Sequence, residues 1–126
     1  HWGQWGDGIY AACRLVSELS EATAPLSELL EDIPDYPQRR IAFPCPDQLK
    51  DTAMETIKTK LASERNVKDI WTYDGLRINY LDGSFLLLRP SGTEPRIRAY
   101  CEGRSERRLQ ELVEKCTSLV RTATGT

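Results

Sequence analysis

Arginine, hydroxyl and glycine residues crowd into one stretch of this chain, Leu86-Leu87-Leu88-Arg89-Pro90-Ser91-Gly92-Thr93-Glu94-Pro95-Arg96-Ile97-Arg98. Such a set suits the capture of an oxyanion. Arg89, at the end of an apolar run, can offer two parallel N–H groups to a phosphate or a carboxylate. Ser91 and Thr93 add hydroxyl donors. Gly92 has no side chain to block close approach of the backbone, so successive N–H groups there can form a small anion-binding nest. Pro90 and Pro95 restrict the geometry in advance. Arg96 and Arg98, two residues apart on an expected strand, share a face and add positive potential beside the loop. Glu94 does not itself favour an anion, and either offsets the arginines or fixes one of them in place. The same residue types also fit an ordinary surface turn with solvated arginines.

Other candidate chemistry is thinner. Cys13, Cys45, Cys101 and Cys116 are widely spaced with no C-x-x-C, and the one histidine is His1, so a zinc site is hard to assemble. The cysteines read as reduced and mostly buried thiols, although an even count also permits two disulfides. His1 is a catalytic candidate only by residue type. Asp7-Gly8 has the look of a helix cap more than of a metal loop. Trp71, Tyr73 and Tyr80 could stack on bases or sugars, but aromatics in strands more often pack in a core or across strands. No serine, histidine and aspartate set is available for nucleophilic catalysis.

The 126 residues can bury a core, and 40% hydrophobic with 29% charged residues is globular composition. A formal net charge of -2 supplies no overall basic field, so any anion site must be local and nucleic acid is not an expected partner. No apolar run is long enough to span a bilayer and no signal peptide is evident, which makes a soluble, cytoplasmic protein the expectation.

These residues need elements to hold them. Ile9, Ala12, Cys13, Leu15, Val16 and Leu19 are spaced for a first helix. A short second one is expected over Ala24–Ile33, with Pro25 in its first turn and Leu26, Leu29, Leu30 and Ile33 on one side. The prolines and charges of 34–40 read as a linker, with a boundary near Asp35: residues 1–34 form a helical tail and 35–126 a second domain. After it come a strand at 39–43 and a helix from Pro46 or Asp47 to Asn66 with Leu49, Ala53, Met54, Ile57 and Leu61 on its apolar stripe. Four strand-like segments follow, broken by Asp74-Gly75 and Asp82-Gly83, pairs suited to tight hairpins because both turn residues tolerate positive φ. Three strands of this set are expected to form a meander. Leu109, Leu112, Val113, Cys116, Leu119 and Val120 make the cleanest helical stripe, capped by Ser105. The expected fold class is α+β: an antiparallel sheet of about four to five strands with two helices on one face, preceded by a helical segment. A helical start cut off from any sheet, with Trp2 and Trp5 beside it, reads as the tail of another domain.

The string Arg89-Pro90-Ser91-Gly92-Thr93-Glu94-Pro95, with Arg96-Ile97-Arg98 after it, resembles the C-terminal phosphate-binding loop of the α-D-phosphohexomutases, the phosphoglucomutase, phosphomannomutase and phosphoglucosamine mutase enzymes. The likeness extends through 74–88 and the last helix, and 6–19 and 25–37 look like the end of the preceding domain and its linker. The resemblance implies a four-domain enzyme that moves a phosphoryl group between the 1 and 6 positions of a hexose phosphate, with a phosphoserine and a magnesium ion in the earlier domains. It implies that Arg89, Ser91, Gly92 and Thr93, helped by Arg98, grip the phosphate that is not reacting. The nucleophile, metal and sugar loops of that family are absent, so the resemblance implies a chain with no catalytic residues, metal site or cofactor of its own. Its expected partners are a hexose phosphate and the other domains of the parent enzyme. Pro90 inclines the reading toward the phosphoglucomutase and phosphomannomutase branch, with phosphoglucosamine mutase as the alternative. A non-enzymatic module that binds single-stranded RNA on its sheet, or a plain scaffold domain, is the reading from outside the family.

Overall fold

A computed structural model of the chain describes residues 6–62 and 64–125. His1, Trp2 and Trp5 lie outside the described residues. The chain divides into two compact units, His1–Asp35 and Tyr36–Thr126.

In the first unit, α1 spans Gly8–Glu21 and α2 spans Leu26–Leu29. Asp7 caps α1, its Oδ1 accepting from the N–H groups of Ile9 (3.0 Å) and Tyr10 (2.9 Å). Two otherwise orphaned donors are thereby satisfied. Pro25 takes the cap position of α2 in an extended conformation, one residue earlier than the sequence suggested. Neither helix contains a buried residue, and Ile9, Val16, Leu26, Leu29, Leu30 and Ile33 are exposed.

The second unit runs β1 (Gln38–Pro44), α3 (Asp47–Leu61), β2 (Val67–Trp71), β3 (Leu76–Tyr80), β4 (Phe85–Pro90), β5 (Arg96–Glu102) and α4 (Glu106–Thr124). The five strands form one antiparallel sheet in the order β1-β5-β4-β3-β2. Strands β2 to β5 are a meander, and β1 closes the far side by pairing with β5. The α+β architecture with two helices on one sheet face is as the residue pattern predicts. Leu76, Ile78 and Tyr80 of β3, Leu86 and Leu88 of β4, and Ile97, Ala99 and Cys101 of β5 are buried; they pack with Ala53, Ile57 and Leu61 of α3 and Leu109, Leu112, Cys116 and Val120 of α4. Strict alternation sends these side chains to the helical layer, and each fully buried leucine or isoleucine contributes about 1.5–3 kcal/mol.

Three local expectations change. The buried stripe of α3 begins at Lys50, not at Leu49, which is exposed. Because 3.6 residues make a turn, Lys50, Ala53, Ile57 and Leu61 line up, and a hydrophobic count passes over the lysine. The helix also stops at Leu61, short of Asn66, whose carbonyl instead accepts from the N–H of Leu81 (3.1 Å). In both Asp-Gly turns only the glycine has positive φ, +100° at Gly75 and +81° at Gly83. The Leu81–Gly83 turn is closed by Gly83 N–H to Tyr80 O (3.0 Å) and Tyr80 N–H to Ser84 O (2.9 Å). That is a three-residue hairpin ending in a glycine bulge, not a two-residue turn.

Asp82 works as a clamp in that hairpin. Its carboxylate accepts from Ser84 N–H (2.9 Å) and Ser84 Oγ (2.5 Å), and from Arg108 Nε of α4 (2.7 Å). Partial burial alone would raise its pKa, but the Ser84 hydroxyl and N–H and the Arg108 guanidinium outweigh that and hold it below the ordinary value. The helical layer is tied to the sheet at this corner. At the other end of the sheet lies the β4–β5 loop.

Candidate functional site

Residues Ser91 to Pro95 join β4 to β5, two strands with partners on both sides, so their ends are fixed by ladders. Within the loop, Ser91 N–H donates to Arg96 O (3.0 Å) and Arg96 N–H to Glu94 O (2.7 Å). Cys45 N–H, just after β1, donates to Pro95 O (2.9 Å). The ammonium of Lys50, in the first turn of α3, donates to Ser91 O (2.5 Å) and Glu94 O (2.7 Å) and pairs with Asp47 Oδ1 (2.6 Å). The loop's carbonyls are therefore held from behind. Its N–H groups are not: those of Gly92, Thr93 and Glu94 have no partner among the described residues. Unpaired, accessible N–H groups in succession are the makings of an anion nest.

The side chains fall where this requires. Ser91 is buried to 9% exposure, while Gly92 and Thr93 face solvent. A methyl group built on Gly92 would meet nothing within 4 Å, so the space above the loop is open to a ligand. Arg89, the last outward-facing residue of β4 before the loop, is half exposed. It stands opposite Arg98 across the β4–β5 ladder, and like charges in that register repel. Each is met by a carboxylate. Asp74, in the β2–β3 turn, takes both Nε (3.1 Å) and Nη2 (3.0 Å) of Arg89 in a forked grip. Glu94 bridges Arg98 Nη2 (2.5 Å) and Arg96 Nη2 (3.3 Å). The hydrogen bond from Arg98 is the main reason that the Glu94 carboxyl lies below its ordinary pKa, and the same bond raises that of Arg98.

Arg89, Arg96 and Arg98 thus share the uncovered sheet face at the loop's base, with Ser91, Gly92 and Thr93 beyond them. Sequence reasoning left the role of Glu94 open, and in the structure it fixes two arginines. It missed Asp74 and Lys50 altogether. Asp74 was hidden inside a turn signal, and Lys50 inside an apolar stripe that a lysine interrupts. Trp71, Tyr73 and Tyr80 divide: Tyr80 is in the core, Trp71 is half exposed with Arg77 over its ring (5.6 Å to the centroid), and Tyr73 is exposed. Three of the four thiols are buried and Cys13 is exposed, all without disulfides. Among the described residues no three His, Cys, Asp or Glu side chains group to hold a metal, and no helix is long and apolar enough to cross a membrane.

Comparison with known proteins bears on the same segment. The family model described as phosphoglucomutase/phosphomannomutase, C-terminal domain, matches residues 41–118, from β1 into α4. A probable phosphoglucosamine mutase of Methanothermobacter thermautotrophicus is 45% identical over 120 residues, covering 94% of this chain and 26% of the relative. A phosphopentomutase of Thermococcus kodakarensis is 40% identical over 123 residues, covering 94% of this chain and 27% of the relative. Among solved structures, a phosphoglucomutase/phosphomannomutase family protein from Burkholderia thailandensis superposes with a TM-score of 0.73 at 25% identity, over 97% of this chain and 25% of the other. The chain spans about a quarter of the length of the relatives it matches.

Proposed function

The chain belongs to the phosphoglucomutase/phosphomannomutase C-terminal domain family, and on that premise we propose that its β4–β5 loop grips the non-reacting phosphate of a sugar phosphate in a phosphomutase. Arg89, Ser91, Gly92 and Thr93 are the grip, and Arg98 adds charge beside it. The observation that carries this reading is the run of N–H groups at Gly92, Thr93 and Glu94 without partners among the described residues, preceded by a buried serine and a half-exposed arginine. A phosphate seated there completes the hydrogen bonds of the loop. It also competes with Asp74 for Arg89, replacing one bidentate oxyanion partner by another.

In this reading the phosphate is held and not transformed. The loop fixes one end of a sugar bisphosphate while the other end reacts, and the gain in rate comes from positioning. The reacting groups belong to other domains of a longer parent enzyme, and α1 and α2 are the helical tail of the domain before this one. The magnesium ion implied by the family has no fitting set of ligands among the described residues, so no step here runs through it. The sugar is a hexose phosphate interconverted between its 1- and 6-phosphates. The relatives favour glucosamine phosphate over the glucose and mannose phosphates to which Pro90 inclined the sequence reading. The compartment is the cytoplasm, where such phosphate esters are substrates.

An NMR titration of the chain with glucose 6-phosphate and glucosamine 6-phosphate tests this. One loop alone should bind with a Kd on the order of 1 mM, about -4 kcal/mol, and shift the amides of residues 89–93. Arg89→Ala should abolish the shifts. Shifts located elsewhere, or unaffected by that substitution, would sink the assignment.

A further inference from the structure

Lys50 is the one charged residue in the buried set of the described chain, at 8% exposure. A leucine or methionine would continue the α3 stripe at that point without the cost of desolvating an ammonium ion. The charge is retained in a place where all three of its donors are used: Ser91 O, Glu94 O and the Asp47 carboxylate. Two of those acceptors are the backbone carbonyls at either end of the Ser91–Glu94 segment. With every described peptide bond trans, a carbonyl and the next N–H point in opposite directions. Fixing Ser91 O against Lys50 therefore fixes Gly92 N–H pointing away from Lys50, toward the open side.

We infer that Lys50 is a positioning residue for the phosphate loop: by holding the Ser91 and Glu94 carbonyls behind the loop, it presents the intervening N–H groups in front as one preformed anion receptor. The inference rests on the phosphate-binding reading above. It assigns to α3 a part in binding that neither the loop nor its arginines supply. Glu94 O is also the acceptor for Arg96 N–H (2.7 Å), so the same lysine steadies the point where β5 begins. A cation behind the loop further polarises the Ser91–Gly92 peptide group, whose N–H end faces the open side, strengthening it as a donor. Preorganisation of this kind raises affinity by removing the ordering cost at binding.

The test is a titration of the 126-residue chain with inorganic phosphate and glucose 6-phosphate, followed at the backbone amides and at the lysine Nζ resonances. In the wild type, Lys50 Nζ should shift with the same Kd as the Gly92 amide. Lys50→Met should keep the dispersed spectrum of the sheet while phosphate affinity falls about tenfold or more. Lys50→Arg, which retains charge and several donors, should recover part of the loss. A folded Lys50→Met variant with unchanged affinity overturns the inference. So does a wild-type Lys50 Nζ resonance that ignores phosphate while Gly92 responds, and that measurement needs no variant to fold. No response at Gly92 in the wild type instead removes the phosphate reading itself.

Discussion

At the scale of single residues, the loop separates groups that build the fold from groups that are spare. Gly92 is in the second class: its φ is not positive and a Cβ there would touch nothing. Gly92→Ala should accordingly leave the unfolding free energy within about 0.5 kcal/mol of wild type. It should also weaken phosphate binding in the same NMR titration, because the methyl group would occupy the space above the N–H groups. A loss of stability instead would mean that Gly92 serves the turn and not a ligand. The candidate site stood out in the sequence because Arg89, Ser91, Gly92 and Thr93 fall within five residues and are of types that favour oxyanions. Asp74 and Lys50 were not legible, since each acts on a residue far along the chain and neither stands in a telling neighbourhood. Only the pairing of β3 with β4, and the packing of α3 beneath the loop, bring them in.

At the scale of elements, the two Asp-Gly turns act at opposite ends of the sheet, the β2–β3 turn beside the site and the β3–β4 turn against α4. Gly75 has φ +100°, and a Cβ on it would collide with the carbonyl of Leu88, one residue before Arg89. Gly75→Ala should cost about 1–3 kcal/mol in a denaturant titration, and it should also loosen the grip on Arg89 of Asp74 in the same turn. The other turn gives a pH signature. The Asp82 carboxyl titrates below its ordinary value in the folded state, so its contribution to stability is full above the unfolded pKa. That contribution is lost as the pH falls through the lower, folded pKa. Asp82→Asn should therefore be less stable than wild type at neutral pH, and the gap should close below about pH 4 in thermal melts across an acid series. Element type and order were readable from periodicity, because α4 and the alternating strands place their apolar residues regularly. The turn conformations were not, since the Asp-Gly signal does not specify which residue bears the positive φ, and the loop length around it decides that.

At the scale of the whole molecule, every residue of the buried core lies between Cys45 and Val120, inside the second unit. A chain beginning at Tyr36 should therefore fold cooperatively, with an unfolding midpoint unchanged from that of the second unit in the full chain. A collapse of cooperativity on removing residues 1–35, measured by calorimetry, would contradict that division. The strand order has a kinetic corollary. β4 and β5 are interior strands, each laddered on both edges, and the Ser91–Pro95 loop is the short bridge between them. Amide protons of Leu86, Leu88, Ala99 and Cys101 should then exchange with solvent only through global opening, while those of Gly92, Thr93 and Glu94, a few residues away, exchange almost at the rate of a free peptide. The steepest protection gradient in the molecule should fall across this one bridge, and bound phosphate should flatten it from the fast side alone.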